Sequence, residues 1–218
     1  MVGKNRKVLE LGAGPGSITR FLSGESNCRV TAVEVDDSAI EKLRGFCDAV
    51  IKLDLNAPGW TEALREAGRF DVVVIADVLE HLYDPWRVLG EAKRMLAPGG
   101  NLVVSLPHVG HCAIVACLVG GDFEYRDWGL LDRTHIRFFG IRNIQSLFEG
   151  AGLCIEDAHF VIKAPEDTEL AAHWQKLSPE LRALLAQASH ANVYQVVVKA
   201  AVRAGPGLAL DQIAVAPK

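Results

Sequence analysis

Short apolar runs alternate with amphipathic stretches along most of this chain. Val8-Leu9-Glu10-Leu11 reads as a buried strand and ends in a turn with glycine at every second position, Gly12-Ala13-Gly14-Pro15-Gly16-Ser17. Ile18 to Leu22 then opens a helix. Arg29 to Asp36 is a second β-rich run with an acidic end, and Asp37 or Ser38 is positioned to cap a helix over Ala39 to Phe46, where Ile40 and Leu43 stand three apart. Ala49 to Leu53 predicts a third strand ending at Asp54, and Trp60 to Ala67 a helix stopped at Gly68. Phe70 to Ala76 is the most hydrophobic run, as expected of a central parallel strand.

The next helix carries the clearest boundary signals. Asp84 is its predicted N-cap, Pro85 fits the first helical position, Val88, Leu89, Ala92, Met95 and Leu96 form its apolar stripe, and Pro98-Gly99-Gly100 stops it. Asn101 to Pro107 is a fifth strand. Strands alternating with helices at this spacing imply βαβ units and an α/β, doubly wound parallel sheet. Past Pro107 the rhythm breaks over residues 108–139, with an apolar patch from Ala113 to Val119 and a mixed stretch holding Phe123, Tyr125 and Trp128. An insertion after a central strand lies over the carboxyl edge of the sheet, where such folds bind ligands. Regular elements return with a helix over Ile141 to Gly150, a strand in two pieces (Leu153 to Glu156 and His159 to Ile162), a helix opened by Ser178-Pro179-Glu180, and a final strand over Val193 to Ala200. The expected organisation is one domain over residues 1–204, with 205–218 as a tail or linker.

Composition narrows the function classes. A length of 218 residues with 50% hydrophobic content supports a full core, and the net charge of −4 argues against nucleic-acid binding by bulk electrostatics. No run approaches the roughly 18 apolar residues of a membrane span, and the apolar patch has no basic flank, so no membrane contact is expected. Five cysteines without a C-x-x-C pair read as free thiols, which with the absence of a signal-peptide pattern predicts a cytoplasmic protein.

The glycine turn is the first candidate site. A dinucleotide would set its pyrophosphate against the helix N-terminus, usually with G-x-G-x-x-G spacing. Here the third position of that pattern is Ser17, and Glu10 just before the turn would repel a pyrophosphate. The same carboxylate suits the ammonium of an amino acid. Glu34 at the end of the second run can accept from two hydroxyls at once.

Glu10-Leu-Gly-Ala-Gly-Pro-Gly16 resembles the first motif of class I S-adenosylmethionine-dependent methyltransferases. Phe70 to Leu82 resembles the fourth-strand motif, and Leu96-Ala-Pro-Gly-Gly100 the turn before strand five. The segment Leu131 to Phe139, with Gly150-Ala151-Gly152-Leu153, is similar to small-molecule methyltransferases, including bacterial ones associated with sugar and lipid glycosylation and ubiquinone-pathway O-methyltransferases. The resemblance implies a Rossmann-like, mostly parallel seven-stranded sheet with an insertion after strand five. It also implies S-adenosylmethionine as cofactor and S-adenosylhomocysteine as product. On this basis Glu10, Gly12, Ala13, Gly14, Gly16 and Val35 are cofactor-binding, Glu34 holds the ribose hydroxyls, Asp54 meets the adenine amine with Leu55 beside it, and Ala76 and Asp77 flank the methionine part.

Catalysis is expected to use His135, with His81 and Asp132: an imidazole near pKa 6.5 can take the proton of a hydroxyl as it attacks the sulfonium methyl. Asp132 would orient that ring or anchor a substrate hydroxyl. Arg133 and Arg137 either bind an anionic acceptor group or, as is commoner for arginines, stay solvated or salt-bridged, and Phe123, Tyr125 and Trp128 either line an acceptor pocket or pack the insertion onto the sheet. Some methyltransferases hold a divalent metal with a comparable acidic and histidine set, which would join Asp77, Glu80, His81 and His135. The metal-free assignment is preferred. The expected function is O-methylation of a small molecule; the alternative is a non-catalytic S-adenosylmethionine-binding module or regulator. The family usually covers its site with a helical segment before the first strand, and only Met1 to Lys7 precede it here, so a homodimer partner or an additional domain is expected to supply that cover.

Overall fold

The computed structural model describes residues 1–203 and 205–214. Seven strands form one sheet in the order β3-β2-β1-β4-β5-β7-β6. They are β1 (Lys7–Leu11), β2 (Arg29–Glu34), β3 (Ala49–Lys52), β4 (Phe70–Ala76), β5 (Leu96–Pro107), β6 (Cys154–Ile162) and β7 (Val193–Ala201). All pairs from β3 to β5 are parallel, while β7 runs antiparallel between β5 and β6. Helices lie between the strands: α1 (Ser17–Gly24), α2 (Asp37–Leu43), α3 (Pro85–Ala92), α4 (Cys112–Val119), α5 (Ile141–Gly150), α6 (Ala171–Lys176) and α7 (Pro179–Ala186).

The central strands β1, β2 and β4 are buried on both faces, which is why they read as near-continuous apolar runs, while the edge strands β3 and β6 are partly exposed. Leu9, Leu11, Val73, Ile75, Leu102 and Val104 pack one face against the α3 and α5 side, where Leu89 and Phe148 are fully buried. Val8, Val30, Val72 and Val74 pack the other face with Leu22 of α1. The period-2 alternation along each strand divides these two layers.

Several boundaries differ from the sequence reading. The cap of α2 is Asp36, whose carboxylate accepts from the Ala39 N–H at 2.8 Å; Asp37 sits in the first turn and pairs with Lys52. Trp60–Ala67 is a run of 3-10 turns, not an α-helix. Helix α3 ends at Ala92, and β5 begins at Leu96, so the Pro98-Gly99-Gly100 turn falls within that strand where its register against β4 shifts. Helix α6 had no sequence signal strong enough to predict it. The apolar patch forms α4, whose Ala113, Ile114 and Cys117 bury against Leu130, Leu131 and Leu170. It is a small core of its own, not a free face. The segment expected to be a tail returns to the domain: Leu208 donates to the Ile155 carbonyl at 2.8 Å and Leu210 is fully buried, while residues 215–218 lie outside the described residues.

Candidate active site

Two cavities open at the carboxyl ends of the parallel strands. The first, about 410 Å³, is floored by Gly12 and Gly14 and walled by Glu34, Val35, Asp54 and Leu55. The second, about 310 Å³, is lined by Glu80, Trp128, Asp132, His135, Tyr194 and Gln195, among others. Asp77 and His81 line both, so they are the wall the cavities share.

The first cavity is built by the turn after β1. Gly12 has φ +67°, and a Cβ there would meet Val78 Cγ2 at 2.4 Å. Gly14 has φ +52° and no atom within 4 Å of the place a Cβ would occupy, which leaves open space over the main chain. The Gly14 N–H donates to Glu34 Oε2 at 2.7 Å, and the N–H groups of Val35 and Asp36 donate to Oε1 at 2.7 and 3.1 Å. Three main-chain donors thus fix the Glu34 carboxylate at the end of β2. Two of these bonds fall on Oε1 and one on Oε2, so Oε2 keeps a lone pair for a ligand hydroxyl. Asp54 accepts from the Asn56 N–H through one oxygen at 2.8 Å and faces the same cavity.

Some predicted positions lie elsewhere. Glu10 does not line the cavity. It points into the layer beneath α1, is 2% exposed, and accepts from the Thr19 hydroxyl at 2.7 Å. Burial pushes its carboxyl up to about 7 against the lowering effect of that bond. Ala13 packs with Ala32 and Leu43, and Gly16 turns toward Leu43 and Phe46 at the start of α1. Ala76 ends β4 beside the cavity without lining it. Alternation along β1 explains Glu10: its neighbours Leu9 and Leu11 belong to the opposite layer.

Asp77 has φ +54°, a backbone conformation that Asp tolerates better than most residues. Its Oδ1 accepts from the Ser105 hydroxyl at 3.1 Å and from the Gln195 amide, which holds the strained turn from β5 and β7. Gln195 gave no sequence signal, because its role depends on the antiparallel insertion of β7 beside β5.

The second cavity is organised by a strap over residues 132–137. Ile136 and Arg137 donate their N–H groups to the Glu80 carbonyl at 2.9 and 3.0 Å, which places His135 over Glu80. His135 Nδ1 meets the Leu130 carbonyl at 3.3 Å; a carbonyl only accepts, so Nδ1 carries the hydrogen and Nε2 a lone pair. The Thr134 hydroxyl donates to Asp132 at 2.6 Å, so His81 Nδ1 is the donor toward Thr134 and its Nε2 is also a free lone pair. The two rings stand edge to face at 4.7 Å. Burial, then the neighbouring His81, lowers the His135 pKa. Burial works against the charge of Asp132, but hydrogen bonds from the Thr134 hydroxyl and N–H outweigh it and hold that carboxyl below its ordinary value.

Glu80 is fully buried and neither carboxylate oxygen has a hydrogen-bond partner among the described residues; Oε1 lies 3.9 Å from His135 Nε2. Burial, with Asp77 and Asp132 nearby, raises its pKa to about 8. Of the predicted acceptor-side aromatics, Trp128 lines the cavity, while Phe123 packs edge-on against Tyr125 and Phe138. Arg133 pairs with Asp127, and Arg137 donates to the Tyr83 carbonyl and lies over Trp86, so neither lines the cavity.

A family model described as "Methyltransferase domain" matches residues 3–158, well over half of the chain. Among curated relatives, the ubiquinone biosynthesis O-methyltransferase of Coxiella burnetii is 24% identical over 155 residues, covering 71% of this chain and 66% of that protein. The protein of the same name from Xanthomonas axonopodis is 24% identical over 161 residues, covering 73% and 67%. The match thus spans about two thirds of these relatives' length. Similar solved structures include S-adenosylmethionine-dependent methyltransferases from Mesorhizobium loti (TM-score 0.58, 17% identity, 92% of each chain) and Archaeoglobus fulgidus (TM-score 0.59, 17% identity, 91% of this chain and 87% of that one). Among the described residues no helix is long and apolar enough to cross a membrane. The chain belongs to the methyltransferase domain family and has the class I fold, whose cofactor is S-adenosylmethionine.

Proposed function

We propose that this protein transfers the methyl group of S-adenosylmethionine to a hydroxyl of a small molecule. The observation that carries the reading is the wall of Asp77 and His81 shared by the two cavities. A cofactor in the first cavity and an acceptor in the second would meet across it. Glu34 would meet the ribose hydroxyls through Oε2, Asp54 the adenine amine beside Leu55, and the open main chain at Gly14 would let the amino-acid part lie close. Asp77 would face the methionine end.

In-line displacement needs nucleophile, methyl carbon and sulfur on one line, and much of the acceleration comes from that placement. His135 and His81 present their Nε2 lone pairs to the acceptor side, where they act on the hydroxyl, while Asp132 holds the strap through Thr134. The curated relatives named as O-methyltransferases support a hydroxyl acceptor. Five unpaired thiols fit a reducing compartment, which supports a cytoplasmic reaction.

The test is transfer of a labelled methyl group to a panel of phenols, catechols and sugars, with amines as the contrast. Release of S-adenosylhomocysteine that depends on a hydroxylated acceptor and falls at least about tenfold in His135→Ala supports the reading. Turnover with amines alone, or full activity in His135→Ala, overturns it. Cofactor binding without turnover on any acceptor points to the non-catalytic module.

A further inference from the structure

We infer that Glu80, His81 and His135 bind one divalent transition-metal ion, zinc or manganese in class, at the acceptor side of the site. The binding stands on this cluster alone; its use in methyl transfer rests on the function proposed above. One ligand atom from each of the three residues lies within 4.8 Å of the others. Donor atoms about 2.1 Å from a shared ion stand up to about 4 Å apart, so small side-chain rotations close the set.

The Glu80 carboxylate is the independent sign of a missing ligand. It is fully buried, both oxygens lack partners among the described residues, and 3.9 Å to His135 Nε2 is too long for a hydrogen bond. A cation between them would satisfy the carboxylate and both imidazoles together. The rings are already arranged for this, since each Nδ1 is engaged by the strap, His135 with Leu130 and His81 with Thr134, leaving each Nε2 lone pair for the ion. Such outer hydrogen bonds commonly orient metal-binding histidines. Asp77 and Asp132 add negative charge to the cavity without being counted as ligands; Asp77 Oδ1 is taken by Ser105 and Gln195.

Two imidazoles and one carboxylate suit zinc or manganese better than magnesium or calcium, which prefer all-oxygen sets. Open coordination positions toward the second cavity can take the acceptor oxygen. The bound hydroxyl then gives its proton to solvent. An oxygen lone pair forms the new C–O bond as the methyl C–S bond breaks, and that pair stays on sulfur to leave S-adenosylhomocysteine. His135 becomes a ligand instead of the proton acceptor, and the preference for a metal-free site is reversed.

The test is calorimetric titration of the chelator-stripped full chain with zinc chloride and, separately, manganese chloride, with elemental analysis after gel filtration. The expected result is one ion per chain. Binding should weaken at least about 100-fold in both Glu80→Gln and His135→Ala, beyond the range seen for losing an outer hydrogen bond. S-adenosylhomocysteine affinity should stay within about twofold. If Glu80→Gln does not fold, cobalt(II) titration of the wild-type chain reads the site directly, and visible bands of a mixed nitrogen and oxygen set support it. No stoichiometric binding, or binding that survives both substitutions, overturns the metal. Intact methyl transfer in that event leaves the proposed function standing, whereas metal binding without S-adenosylhomocysteine binding removes the function and leaves the metal.

Discussion

The main-chain carbonyl of Glu80 anchors the strap that carries His135, and the imidazole is thereby held with Nε2 3.9 Å from the Glu80 carboxylate. A residue in the short turn after β4 therefore sets the position of a group far along the chain. Thr134 extends this clamp through its hydroxyl to Asp132 and His81. In Thr134→Val the shape is kept and the hydroxyl is lost. Methyl transfer should fall about tenfold while S-adenosylhomocysteine affinity is unchanged, since the first cavity is untouched. Parallel assays of rate and binding check this; a fall in binding as large as the fall in rate contradicts it.

Gly12 sits at φ +67° with Val78 against the place of its missing Cβ. Gly12→Ala should destabilise the protein by about 1–3 kcal/mol in urea unfolding, from overpacking and from the backbone conformation together. Adding Val78→Ala should recover the steric part and not the backbone part. Full recovery in the double variant would show that φ costs nothing here.

Glu10 supplies a pH signature. Its carboxyl ionises near 4.5 in the unfolded chain and about 7 in the folded protein. Below pH 4.5 both states are protonated and the preference for the neutral acid contributes fully. Between 4.5 and 7 the unfolded state ionises first, so that stability is lost as pH rises and is gone above 7. The difference amounts to roughly 3 kcal/mol at most. The stability of Glu10→Gln relative to the wild type should therefore rise between pH 5 and pH 8 in denaturant titrations. A difference that stays flat across this range would mean that Glu10 ionises normally.

Much of the fold was legible because its signals are local. Phe70–Ala76 and Ile141–Gly150 have the bounds expected from their hydrophobic periods, and Asp84 and Ser178 cap helices with proline at the first position. The place of Glu34 was legible for the same reason, since a carboxylate closing a parallel strand lies at the carboxyl edge of the sheet, where the first cavity opens. The errors came from tertiary context. Glu10 follows the facing of its strand into the layer under α1, although its place beside the glycine turn suggested contact with the ligand. Gln195 and Tyr194 reach the second cavity because β7 inserts between β5 and β6, a pairing with no local signature. Arg133 and Arg137 follow the commoner of their two expected readings, each engaged by a neighbour, though the partners themselves are set by the folded strap.

The central claim is that the cavity over the Gly12 to Gly16 turn holds S-adenosylmethionine through Glu34. Calorimetric titration of the wild type and Glu34→Ala with S-adenosylhomocysteine, and with NAD as the contrast, tests it most directly. One site of about micromolar affinity, weakened about 100-fold by Glu34→Ala and matched by no NAD binding, is the predicted result. NAD binding in place of S-adenosylhomocysteine, or equal affinity in Glu34→Ala, would contradict it.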